Sequence, residues 1–170
     1  MVDAGNLMML VKAEDLGLTG LEDAQFFKEN TDLMSKIETT RREAGLKVGM
    51  GDVSESVLPK VGILSKSREG GNIKSQYLTP HSLHPTHAVS GAVCIGTASK
   101  AAGTVAAEIA QVSNESKERI ILEHPSGKIP VVIEVAGEGN DFTVVMAGTC
   151  LLYTSPSPRD ATLSRMPSSA

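Results

Sequence analysis

Residues 88–102 read Ala-Val-Ser-Gly-Ala-Val-Cys-Ile-Gly-Thr-Ala-Ser-Lys-Ala-Ala, and this stretch decides the fold. It carries no charge before Lys100, and small or apolar side chains fall on every side of a helical wheel. A helix that is apolar all round is a buried helix. At about 15 residues it is too short to cross a bilayer, which takes about 20. Its glycines and alanines let surrounding backbone come close.

The segments on either side supply what would enclose it. Leu7–Lys12 (Leu-Met-Met-Leu-Val-Lys) is a continuous apolar run and reads as a buried strand, with Asp3-Ala-Gly-Asn6 as a turn or bulge before it. Glu14 to Gly20 is a loop, and Thr19 or Thr31 is a candidate helix cap. Asn30 to Gly45 is the clearest amphipathic helix. Leu33, Ile37 and Ala44 lie near one face, and Gly45 serves as its stop. Gly49-Met-Gly-Asp52 is a flexible loop. Lys60–Ser65 and Ile73–Leu78 read as strands joined by a polar turn. Further strands are expected at Thr104–Ala110, Arg119–Leu122, Ile129–Val135 and Phe142–Met146, with a hairpin turn at 137–140. Strands wrapped around one buried helix give an α+β architecture rather than a doubly wound sheet.

Composition narrows the function classes. The chain has 170 residues, 41% of them hydrophobic but only 3% aromatic and none Trp, so the core is aliphatic. The net charge of −4 is spread along the chain, which argues against a nucleic-acid surface. There is no apolar run of membrane-spanning length and no signal-peptide pattern at the N-terminus, so the reading is a cytoplasmic domain without a membrane partner. Cys94 and Cys150 are too few for a disulfide framework.

The composition changes abruptly after Thr149. Cys150-Leu-Leu-Tyr-Thr-Ser-Pro-Ser-Pro-Arg-Asp160 resembles the translation of a transposon-end sequencing adapter. Ser164-Arg-Met-Pro-Ser-Ser-Ala170 resembles the adapter segment that follows an index, and residues 161–163 stand where the index would be. The expectation is a non-native, disordered tail over 150–170 and a natural chain cut near Thr149. Removing Arg159, Arg165 and Asp160 takes Lys+Arg from 16 to 14 and Asp+Glu from 20 to 19, leaving −5.

The site-like features cluster at the start of the buried helix. Pro80-His-Ser-Leu-His-Pro-Thr-His-Ala-Val-Ser-Gly91 runs directly into it. The first N–H groups of a helix need partners, and the dipole makes that end attractive to a carboxylate or phosphate. Gly91 lets a ligand approach, although Ser90 serves equally well as a plain helix cap. His81, His84 and His87 could hold zinc, but Pro80 and Pro85 prevent a helix from aligning them, and no partner Cys or His-Glu-x-x-His pattern occurs. Pocket-lining histidines beside the helix, or surface histidines, are the other readings. Glu123-His-Pro-Ser-Gly127 reads as a β-turn, and Cys94 as a small buried hydrophobe.

Taken in order, several segments resemble the PrpF family: Val2-Asp-Ala-Gly-Asn6, Ala13 to Gly20, Glu38 to Gly45, Gly49-Met-Gly-Asp52, Leu58-Pro-Lys60, Gln76-Tyr-Leu-Thr-Pro80, His87 to Cys94, Gly103-Thr-Val-Ala106 and Glu123-His-Pro-Ser-Gly127. The resemblance spans residues 1–149. It implies a diaminopimelate epimerase-like fold, in which each of two lobes wraps a β-barrel-like sheet around a central helix and the active site lies between lobes. Residues 1–149 would be the second lobe, truncated at both ends, with Met1 an internal methionine. The family's activities are cofactor-independent isomerisations of small unsaturated di- and tricarboxylates: aconitate, methylitaconate and oxalomesaconate. The family's catalytic Lys and Cys lie in first-lobe motifs, Ser-Lys-Val and Cys-Gly-Asn, that are absent here. Leu7 stands where the family usually has Pro, and the Arg-Thr-Ala-Arg motif expected after the last strand is missing.

By resemblance, substrate binding falls to Asn6, His84, His87, Ser90 and Gly91, with Ser126 beside them, and no catalytic residue or metal ligand is assigned. The implied partners are the carboxylate substrate and the missing N-terminal lobe, which would leave an exposed apolar docking face here. The alternatives are a non-catalytic carboxylate-binding or interaction module and, third, a zinc protein.

Overall fold

The computed structural model describes residues 1–137 and 139–149; the adapter-like tail at 150–170 lies outside them. A seven-stranded mixed sheet has its strands in chain order: β1 (Val2–Asp3), β2 (Leu7–Lys12), β3 (Lys60–Ser65), β4 (Ile73–Leu78), β5 (Lys117–His124), β6 (Gly127–Ala136) and β7 (Thr143–Gly148). β2–β3 and β4–β5 are parallel; every other neighbouring pair is antiparallel. Each parallel step needs a crossover, and helices fill both. Helices α1 (Ala24–Glu29) and α2 (Thr31–Lys47) join β2 to β3, whereas α3 (Val89–Lys100) and α4 (Val105–Ile109) join β4 to β5. The sheet curls into a half-barrel, and α3 lies in its concavity against β1, β2, β3, β5, β6 and β7. The α+β expectation holds.

Two apolar cores sit on opposite faces of the sheet. The inner one joins Met8, Leu10, Leu64, Ile73, Tyr77, Ile120, Leu122, Val131 and Ile133 to Ala92, Cys94, Ile95 and Ala98 of α3. The outer one joins Met9, Val61, Ile63 and Leu78 to Phe27 of α1 and Ile37 of α2. This explains the unbroken apolar run of β2: Met8 and Leu10 face in, Met9 faces out, and both faces are covered. β6 alternates instead, with Ile129, Val131 and Ile133 buried between partly exposed neighbours. Gly96 lets β6 close onto α3, because a Cβ there would stand 2.6 Å from Val131 Cγ2.

Several local expectations are corrected. Thr104–Ala110 is not a strand. Thr104 accepts the Ala107 N–H at 3.1 Å and caps α4. Gly45 does not end the long helix; it lies buried inside α2 against Val53, and the helix runs on to Lys47. Neither Thr19 nor Thr31 is a cap. Asp23 caps α1 by accepting the Phe26 N–H at 2.8 Å, and Thr19 bonds Glu22. The chain beyond the 49–52 loop is held by Arg41, fully buried on the helix face assigned to Leu33 and Ile37. Its guanidinium donates to the carbonyls of Val53 (2.9 Å), Ser56 (3.3 Å) and Leu58 (2.9 Å) and to the Glu38 carboxylate at 2.6 Å. That pairing holds Glu38 down to about 2.

Candidate carboxylate site at the start of the central helix

α3 begins without a cap. The N-cap position is Ala88, in extended backbone, whose side chain has nothing to offer; Ser90, expected there, is the second residue of the helix and is exposed. The first intrahelical bond closes at the Ala92 N–H, which donates to Ala88 O at 2.9 Å. The N–H groups of Val89, Ser90 and Gly91 therefore precede the helical ladder, and none bonds to the described residues. With the dipole behind them, free N–H groups of this kind attract anions.

The β1–β2 hairpin places Asn6 over this end. Asn6 Nδ2 donates to the Tyr77 hydroxyl at 3.1 Å and to Ser90 Oγ at 3.3 Å. Both hydroxyl oxygens act as acceptors there, so each keeps its proton to donate. Tyr77 comes up from β4, 1% exposed, and its ring fills the space that a Cβ on Gly91 would need: such an atom would stand 2.5 Å from Tyr77 Cε2. Gly91 is thus required by Tyr77. Burial raises the Tyr77 phenol above its ordinary value, against the lowering bond from Asn6.

The histidines divide. His87 is buried against Tyr77, ring centroids 4.9 Å apart. Its Nδ1 meets Ala88 O at 2.9 Å and its Nε2 meets Ser75 Oγ at 3.1 Å. Burial, offset in part by the Ala88 carbonyl, pulls it down to about 4, so the ring is neutral at pH 7. Both ring nitrogens of His87 are engaged within the protein, and the ring backs Tyr77 and Gly91. His84 packs edge-on to Tyr77 at 5.9 Å and is half-buried. His81 is exposed, and among the described residues no group of three or more His, Cys, Asp or Glu is arranged to hold a metal ion. Ser126 donates from Oγ to the Pro85 carbonyl, tying the β5–β6 turn to the same loop.

Asn6, Ser90 and Gly91 are thus brought together, with His84 and His87 around the Tyr77 ring behind them. Tyr77 was not singled out in the sequence. Tyr77 could have been found from strand alternation, since Ile73, Ser75 and Tyr77 share the inward face. Cys94 is buried, its Sγ 3.7 Å from Val2 O, and burial pushes its thiol up to about 11, which disfavours the thiolate.

The model of the PrpF family (PrpF protein) matches residues 1–150. The chain belongs to the PrpF family. A (4E)-oxalomesaconate Delta-isomerase of Novosphingobium sp. (strain KA1) is 35% identical over 149 residues, covering 88% of this chain and 42% of that protein. A 4-oxalomesaconate tautomerase of Pseudomonas putida (strain KT2440) is 36% identical over 134 residues, covering 79% and 37%. The crystal structure of a methylitaconate-delta-isomerase superposes with a TM-score of 0.72 over 87% of this chain and 45% of that one, at 21% identity, and shares the fold. This PrpF chain spans less than half the length of the relatives it matches. No helix among its described residues is long and apolar enough to cross a membrane.

Proposed function

We propose that residues 1–149 are the substrate-binding second lobe of a PrpF isomerase, one that moves a proton, without a cofactor, on a small unsaturated di- or tricarboxylate such as aconitate or methylitaconate. The observation that carries this is the open N-terminus of α3 under Asn6, Tyr77 and Ser90. A substrate carboxylate takes the free N–H groups of Val89, Ser90 and Gly91 and the Ser90 hydroxyl. The same dipole stabilises negative charge that develops when a proton leaves the adjacent carbon. The relatives support the substrate class, being isomerases or tautomerases of oxalomesaconate. The proton-transfer groups belong to another part of the protein: Cys94 is buried and held protonated, and His87 has both nitrogens engaged.

Calorimetric titration of trans-aconitate, methylitaconate and oxalomesaconate into the chain tests the binding role. At least one acid should bind, and Asn6→Ala should weaken it. Equal binding by Asn6→Ala, or no binding at all, defeats the reading. Proton NMR of the same acids with the chain alone should show no isomerisation, and turnover would place the chemistry here after all. If the full-length gene product binds these acids and turns over none, the module reading replaces the isomerase.

A further inference from the structure

The sequence uses one tripeptide pattern twice beside this site, His84-Pro-Thr86 and His124-Pro-Ser126. Both copies make the same local hydrogen bond. The Thr86 N–H donates to His84 Nδ1 at 3.1 Å, and the Ser126 N–H donates to His124 Nδ1 at 3.2 Å. A ring whose Nδ1 accepts a hydrogen bond carries its proton on Nε2 when neutral. Neither Nε2 bonds to the described residues, and neither is among the buried polar atoms left without a partner. Both rings are half-buried. Ser126 Oγ clips the two turns together at Pro85 O, and His84 lies edge-on to Tyr77.

We propose that His84 and His124 form a two-donor clamp for one carboxylate, each ring fixed in its Nε2–H tautomer by the turn it begins. The inference rests on the carboxylate-binding reading and deepens it. The α3 N-terminus takes one carboxylate and the histidine pair takes a second, so the ligand carries at least two. His87 cannot serve, with both nitrogens spent inside the protein. The nearest acid along the chain, Glu123, does not compete, because its carboxylate accepts the N–H groups of Arg68 (2.9 Å), Glu69 (2.7 Å) and Gly71 (2.9 Å). Burial, then His84, depresses the pKa of His124, which favours a neutral donor over a cation.

Two measurements on the full chain test the clamp. Long-range proton–nitrogen NMR should show His84 and His124 as Nε2–H tautomers at pH 7.5; Nδ1–H tautomers overturn it. Calorimetry with trans-aconitate should show a loss of about tenfold or more for His84→Phe and for His124→Phe, the size expected for a hydrogen bond to a charged group. His124→Gln, which keeps an N–H near the Nε2 position, should recover most of the affinity. Unchanged binding by both Phe variants overturns the clamp and leaves the helix site standing. Loss in the Phe variants with none in Asn6→Ala keeps the clamp and defeats the helix-centred reading. No binding of trans-aconitate by the wild type defeats both.

Discussion

At Gly91 a single hydrogen atom stands where any side chain would strike Tyr77, and the His87 ring packs beside that ring, its Cε1 3.1 Å from where a Cβ would be. Gly91→Ala should cost about 1–3 kcal/mol, as overpacking of a full site does. It should also weaken carboxylate binding, since Asn6 hangs from the displaced Tyr77 hydroxyl; urea denaturation and calorimetry read the two effects separately. His87 adds a pH signature. Its folded value of about 4 lies below the ordinary 6.5, so the unfolded chain takes up its proton first as pH falls. Its contribution is intact above about pH 6.5 and is lost between there and pH 4, on the order of 3 kcal/mol in all. His87→Gln should therefore flatten the fall in stability over that window, whatever its stability at pH 7. An unchanged slope would mean that His87 does not titrate with unfolding.

At the scale of elements, the contact between α3 and β6 is a fit between Gly96 and Val131. Gly96→Ala alone should destabilise by about 1–3 kcal/mol despite the better helix propensity of alanine. Adding Val131→Ala vacates the space the new methyl needs, so the double mutant should lose clearly less than the sum of the singles. Additive losses in a denaturation cycle would show that this contact is not the constraint. The elements themselves were unevenly legible. β2, β3 and β4 have the bounds their patterns implied, because apolar runs and polar turns mark them directly. Thr104–Ala110 misled because Val and Ala in a short run fit strand or helix, and the Thr104 cap decides it. α1 was missed because six residues carry too little periodicity, leaving only the Asp23 cap as its signal.

For the whole molecule, the sheet edge at β7 is an open side among the described residues. Among the described residues β7 pairs only with β6, and Val144, Val145 and Met146 are exposed on it. An exposed apolar edge strand invites further pairing. Val145→Lys should leave the melting temperature within about 2 °C, as exposed substitutions do, while reducing concentration-dependent association in light scattering. Association unchanged by the charge would place the sticky surface elsewhere. By itself the sequence determined that α3 is enclosed, that strands from both sides enclose it, and that its first N–H groups need partners, because a charge-free helix must be covered and its end groups must be satisfied. Only the tertiary structure decided which side chains meet there. Asn6, Tyr77 and Ser90 come from a hairpin, a strand and a helix, and no local pattern records a distance between residues that far apart in the chain. The same holds for the capping of α3: Ser90 looked like the cap by residue type, but the path of the loop put Ala88 in that position and left the helix end open.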